Sequence, residues 1–270
     1  MQKIILITGS TDGIGLATAR LLTSMGHHVL LHGRNPAKLE EVKKTLSVLP
    51  GDGRLESYVA DLSRMADVEA FAKVVAEKHT RLDALINNAG VYQSPQTVTK
   101  DGLDVRFAVN TIAPYLLTQR LLPLFDSSGR VVNVSSAAQS PVNPRALAGQ
   151  VRLSDDAAYA QSKLALTMWS RTMGLSLKDK GPTIIAVNPG SMLGSKMVKE
   201  TFGVDGGDIG IGAEILRRAA LTDEFAKASG QYFDNDTGQF ASPHPDAFNH
   251  QKCEEIVRVI KRVVTKIKRS

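Results

Sequence analysis

Tyr159 and Lys163 stand four residues apart in a stretch with helical periodicity. On a helix that spacing puts both side chains on one face. A phenol has an ordinary pKa of about 10 and exchanges protons poorly near neutrality; an adjacent ammonium favours the phenolate and lowers that value. The pair is therefore suited to proton transfer. Alone it is weak evidence, because packing produces the same spacing on many helices. Ser135 and Ser136 follow the apolar run Arg130–Val134, which reads as a strand. Side chains alternate along a strand, so only one of the two hydroxyls can face a cleft. A serine at a strand end is usually turn chemistry, and Asn110 by itself reads as a helix-surface residue or a cap.

A second group could bind phosphate. The stretch TGSTDGIG, Thr8 to Gly15, follows the short apolar run Ile4–Ile7 and precedes a helical pattern. Strand, glycine-rich turn and helix in that order form the context of a dinucleotide-binding turn. Gly9, Gly13 and Gly15 allow a tight turn and close backbone approach, and a helix beginning near Gly13 offers unpaired N–H groups to a pyrophosphate. The spacing departs from G-x-G-x-x-G, since Ser10, Thr11 and Asp12 separate the first two glycines. The second strand ends in Leu31-His32-Gly33-Arg34-Asn35. No acid stands there to accept from a ribose 2′-hydroxyl, and Arg34 could pair bidentately with a 2′-phosphate. The sequence thus predicts NADP(H) in preference to NAD(H), with a solvated turn arginine as the competing reading.

This variant glycine spacing resembles that of the short-chain dehydrogenases/reductases, and the resemblance recurs in order along the chain. Asn87-Asn88-Ala89-Gly90 follows a strand, Asn110 lies in the next helix, and Ser136 ends a strand. Tyr159-Ala160-Gln161-Ser162-Lys163 has the Y-x-x-x-K form, and Asn188-Pro189-Gly190 follows the next strand. The resemblance implies that Tyr159 is the general acid/base on a substrate oxygen and that Lys163 lowers its pKa and holds the nicotinamide ribose. It implies that Ser136, more than Ser135, fixes the same oxygen and that Asn110 anchors a water reaching Lys163. It assigns the cofactor to Gly9, Ser10, Thr11, Asp12, Gly13, Ile14, Gly15, Arg34, Asp61, Leu62, Asn88, Ala89, Gly90, Tyr159, Lys163, Pro189 and Gly190. Asp61 resembles the adenine contact; an aspartate capping the next helix is the alternative. Asp12 lies where NADP-preferring relatives often carry a base. After Pro189-Gly190 relatives usually carry a threonine that grips the nicotinamide carboxamide; the resemblance gives that cofactor-binding role here to the hydroxyl of Ser195. Ser136 and Tyr159 are farther apart than in many members, and the extra segment Pro141–Asp156 is expected over the cleft. Such an insertion resembles the retinol-dehydrogenase-like branch, which takes bulky apolar carbonyls or alcohols, although Arg145 and Arg152 also admit an acidic substrate.

The elements that must position these groups alternate. Strands are expected at 3–7, 29–32, 55–60, 82–86, 130–134 and 183–187. Helices are expected at 15–25, 37–46, 65–78, 103–125, 157–178 and 213–221. Alternation of this kind implies right-handed crossovers and a single-domain, Rossmann-type, doubly wound parallel sheet with helices on both faces. Residues 191–212 hold six glycines and little periodicity, and read as a lid-like loop. Residues 230–233 read as a last edge strand.

Composition narrows the function classes. The chain has 270 residues, 43% hydrophobic, with no run of the roughly 18 apolar residues that a membrane span needs. The start lacks a signal-peptide pattern, and the one cysteine, Cys253, excludes an internal disulfide framework; together they predict a cytoplasmic protein. No metal-ligand pattern is present. The net charge of +6 resides in residues 256–270, where Arg258, Lys261, Arg262, Lys266, Lys268 and Arg269 face no acid. Val257, Ile260, Val263, Val264 and Ile267 follow helical spacing. A basic C-terminal helix at 250–270 is therefore expected in preference to a nucleic-acid-binding arm. The leading functional expectation is an oxidoreductase that interconverts a small-molecule carbonyl and alcohol. The alternative is a non-catalytic NAD(P)-binding regulator. By resemblance, a homodimer or homotetramer forms through the helix carrying Tyr159.

Overall fold

The computed structural model describes residues 1–267. Its elements run β1 (Ile4–Ile7), α1 (Gly13–Ser24), β2 (His28–Gly33), α2 (Pro36–Ser47), β3 (Arg54–Val59), α3 (Met65–Lys78) and β4 (Ala84–Asn87). Next come α4 (Val105–Phe107), a π turn (Ala108–Ile112), α5 (Ala113–Leu121), β5 (Arg130–Val134), α6 (Pro144–Leu147), α7 (Asp155–Ser176) and β6 (Thr183–Asn188). The chain continues through α8 (Lys196–Phe202), α9 (Ile209–Leu221), β7 (Tyr232–Asp234), β8 (Gln239–Ala241) and α10 (His250–Ile267). One sheet has the order β3-β2-β1-β4-β5-β6-β7-β8, with the first seven strands parallel and β8 antiparallel.

Both faces of the sheet are covered, as continuous apolar strands require. Successive residues of β1 point to opposite cores. Ile5 and Ile7 join a cluster with Leu22 of α1, Leu39 of α2 and Leu216 of α9. Leu6 joins another with Phe71 of α3, Leu116 of α5, Trp169 of α7 and Ile260 of α10. The chain order reverses between β1 and β4, so their carboxyl ends open the crevice where such sheets bind ligands.

Several expectations change. The helix expected over 103–125 is broken at Asn110. Pro114 has no N–H with which to reach the carbonyl four residues back, and the Ala113 N–H instead bonds the Ala108 carbonyl in a π turn. Residues 191–212 are not a structureless lid. Gly194 N–H donates to the Gly207 carbonyl at 2.7 Å and Gly207 N–H to the Met192 carbonyl at 2.8 Å, which closes a flap around α8, and α9 begins inside the segment. The edge strand is β8; Tyr232 lies one strand in. The 141–156 insertion contains a helical turn of its own, since Asn143 caps α6, and Ala146 and Leu147 fix it by entering the core. The apolar stripe of α10 is buried, including Ile256, Ile260, Val263 and Val264, and Arg258, Lys261 and Arg262 stay outside. Lys268 and Arg269 lie outside the described residues.

Candidate active site

The glycine turn is shaped by contacts that a side chain would forbid. Gly9 has φ +66°, and a Cβ there would come within 2.9 Å of Ala89 Cα. A Cβ on Gly15 would lie 2.2 Å from the Gly9 carbonyl oxygen and 2.4 Å from Asn88 Nδ2. Asn88 fixes the same turn by donating to the carbonyls of Thr8 and Gly9 at 3.0 and 3.1 Å, and Thr8 Oγ1 accepts from the N–H groups of Asn88 and Ala89. Ser10 is buried and exchanges hydrogen bonds with His32 of β2. Thr11 abuts Gly33, where its Cγ2 would meet a Cβ at 2.7 Å. The Ile14 side chain packs on the core, which leaves its backbone at the N-terminus of α1 for a ligand.

His32 is a bracing residue that the sequence did not flag. Its Nδ1 accepts from Gly9 N–H at 3.1 Å, its Nε2 donates to the Ala60 carbonyl at 3.2 Å, and its ring stacks on Phe71. Both ring nitrogens are used by the neutral tautomer, and burial depresses its pKa to about 4. Asp12 caps α1 through Gly13 N–H at 2.8 Å and also receives Lys38 Nζ at 2.8 Å. Burial opposes its ionisation, but the bonds from Lys38 and Gly13 outweigh that and hold its carboxyl below the usual range. Lys38 thus places a second cation on the turn that carries Arg34. Asp61 turns its own loop by accepting from Ser63 N–H, and α3 is capped instead by Asp101 through Met65 N–H, so the helix-cap alternative for Asp61 does not hold. The Leu62 side chain is in the core, which leaves only its backbone for a ligand.

At the ends of β5 and β6 the chemistry-bearing groups converge. Ser135 is buried and pairs with Thr167 Oγ1 at 2.7 Å. Ser136 is partly exposed, its hydroxyl accepts from Ala138 N–H at 3.1 Å, and it lies near enough to the Tyr159 phenol to favour the phenolate. Lys163 Nζ lies 5.7 Å from the centroid of the Tyr159 ring and donates to the Val134 carbonyl at 2.7 Å. A Cβ on Gly90 would sit 3.6 Å from that Nζ and 3.5 Å from Asn110 Oδ1, so Gly90 leaves the space both groups border. The expected fall in the Tyr159 pKa is not present in this arrangement. Burial raises it, the Ser136 hydroxyl opposes that, and Lys163 is turned to a carbonyl. Burial also lowers Lys163 to about 8. Asn110 has a bracing role that its motif did not announce. Its side chain brackets Val91, accepting from the N–H at 2.8 Å and donating to the carbonyl at 2.9 Å, and it donates to Ser162 at 3.0 Å. It therefore ties the Asn88-Ala89-Gly90 loop to α7.

Further groups border the same end of the sheet. Tyr92 packs on Tyr159 with ring centroids 4.5 Å apart and donates to Asp156 at 2.6 Å. Arg106, fully buried, joins Asp104 and Asp155 and so fastens the end of the insertion to the loop after Gly90. Gly190 has φ +122°, Pro189 precedes it beside the Ser136 end of β5, and Ser195 caps α8 with its Cβ 3.6 Å from the place of a Gly13 Cβ. Ser195 thus stands across from the α1 N-terminus. Among the described residues no helix is long and apolar enough to cross a membrane, and no three metal-ligating side chains cluster.

Comparison with known proteins agrees with this geometry. The family model for short chain dehydrogenase matches residues 3–206. Human retinol dehydrogenase 13 is 30% identical over 284 residues, covering 95% of this chain and 81% of that protein. Human polyprenol dehydrogenase is 35% identical over 211 residues, covering 74% of this chain, which spans only 64% of that relative's length. A metagenomic short-chain oxidoreductase solved in complex with NADP is 30% identical with a TM-score of 0.64, covering 82% of this chain and 92% of that one. The chain therefore belongs to the short-chain dehydrogenase/reductase family, and retinol dehydrogenases are among its relatives.

Proposed function

We propose that the protein is an NADP(H)-dependent oxidoreductase interconverting a carbonyl and an alcohol on a small molecule. The observation that carries this is the convergence of Tyr159, Ser136 and Lys163 beside a glycine cradle. The cradle fits a dinucleotide, since Gly9 and Gly15 leave no room for side chains and α1 directs free N–H groups into the crevice. A bound nicotinamide supplies or takes the hydride. Tyr159 gives its proton to, or takes it from, the substrate oxygen, and Ser136 donates a hydrogen bond to that oxygen. A phenol raised by burial is a competent acid for carbonyl reduction; turning Lys163 from the Val134 carbonyl towards it favours the reverse reaction.

Arg34 and Lys38 support NADP(H), with Lys38 neutralising the acid that Asp12 brings to the turn. The NADP in the metagenomic relative agrees with that preference. Tyr92 and the retinol- and polyprenol-dehydrogenase relatives support a bulky apolar substrate. The buried thiol of Cys253 fits a reducing, cytoplasmic setting. A homodimer or homotetramer built on α7 must use a side that α10 leaves open, because α10 shares its core with Leu164 and Trp169. The test is NADPH oxidation against aldehydes, ketones and quinones. We expect turnover that Tyr159→Phe reduces by about 10²–10⁴-fold with dinucleotide affinity retained. Dinucleotide binding without turnover on any of them supports a non-catalytic regulator instead.

A further inference from the structure

Six hydrogen bonds from three successive residues, Asp234, Asn235 and Asp236, hold residues 188–191, the segment that leaves β6 beside Ser136. Asp236 Oδ1 accepts from Ser191 N–H at 2.7 Å; its Oδ2 accepts from Ser191 Oγ at 2.5 Å and from Asn188 Nδ2 at 2.8 Å. Asp234 Oδ1 accepts from the same Asn188 amide at 2.8 Å. Asn235 donates its side-chain amide to the Pro189 carbonyl at 2.9 Å and its backbone N–H to the Asn188 carbonyl at 3.1 Å. The strand leading into this turn also reaches the catalytic side, where Tyr232 donates its hydroxyl to the Ser136 carbonyl at 3.2 Å. The segment so held is conformationally demanding. Gly190 has φ +122°, and Met192, just beyond it, has φ +52°, a region that a side chain disfavours and that persists only where surroundings enforce it.

We infer that the β7–β8 hairpin is a positioning device for the nicotinamide end of the cofactor, with Asp236 as its principal residue. The inference rests on the dinucleotide reading above. Asp236 touches neither substrate nor reacting atoms; it acts through Ser191 and Asn188. Its carboxylate is an acceptor-only group facing three donors, and those bonds hold it ionised against the cost of burial. An amide of the same shape turns at least one acceptor into a donor. The turn itself is exposed, so its side chains can change without opening the core.

The experiment compares Asp236→Asn and Asn235→Ala with wild type. It measures dissociation constants for NADPH and for 2′-phospho-ADP-ribose, which lacks the nicotinamide, together with Tm and the kcat and KM of any substrate found. We expect Asp236→Asn to weaken NADPH about tenfold and lower kcat, with the fragment's affinity and Tm unchanged; Asn235→Ala gives a smaller change of the same kind. Unchanged NADPH binding overturns the inference, as does equal weakening of NADPH and fragment, which marks a general structural effect. Failure of the wild-type protein to bind either ligand overturns the dinucleotide reading and the inference with it.

Discussion

The two loops that flank the crevice are built by opposite means. Residues 8–15 take their shape from the absence of atoms: Gly9 and Gly15 let backbone and the Asn88 amide come closer than any side chain permits. Residues 188–191 take theirs from the presence of atoms, the carboxylates and amide of a hairpin far along the chain. The first loop fails when something is added and the second when something is removed. A backbone rule of the first kind is written in consecutive letters, whereas a clasp of the second kind exists only after folding.

The sharpest way to break this contrast is Gly15→Ala. Its Cβ meets a carbonyl oxygen, which has no rotamer to yield, so we expect a loss above the roughly 1–3 kcal/mol usual for overpacking, read by urea unfolding, and loss of dinucleotide binding. Wild-type stability would show that close approach does not hold the loop. Next is pH. His32 is depressed to about 4 in the folded protein, against about 6.5 unfolded, so the unfolded chain binds the extra proton between those values. Nothing is lost above about pH 6.5; as pH drops below it the folded state loses stability, and the loss reaches about 3 kcal/mol by pH 4. Comparison of unfolding free energies for wild type and His32→Gln across pH 4–7 should show a steeper loss in wild type; parallel curves would remove His32 as the brace. Smaller is Arg34→Ala, expected to raise the KM for NADPH about tenfold, near 1.4 kcal/mol, with that for NADH unchanged. Equal effects on both cofactors would detach Arg34 from the 2′-phosphate. Smallest is Gly238→Ala in the hairpin turn, where φ is +70° and no atom lies within 4 Å of the new Cβ. Only backbone strain of about 1 kcal/mol is expected, seen as a small fall in Tm with NADPH affinity intact.

The alternation of strands and helices was legible because each element's apolar pattern is local, and Asn35-Pro36 marked the start of α2 as the structure has it. The π turn was hidden inside an unbroken helical pattern, yet Pro114 was its signal, since a proline in a helix interior deprives the residue four back of its donor. The three-residue strand β8 is too short to carry alternation. Tyr159, Ser136 and Lys163 were found through motifs, but the direction in which Lys163 turns depends on the Val134 carbonyl, and the position of that carbonyl is a property of the packed sheet. His32 read as a strand residue because its partners, Gly9 and Ala60, are joined to it only by folding. Lys38, Tyr92 and Asp236 were invisible for the same reason.

The π turn at Ala108–Ile112 makes this helix one residue longer than its pitch allows, and Asn110 sits on the surplus. The wide turn takes up that extra residue while the helix on either side stays nearly in phase. Deleting one residue there should therefore leave the stripe of α5 on the core, yet regular winding would draw Asn110 off Val91 and untie the loop after Gly90 from α7.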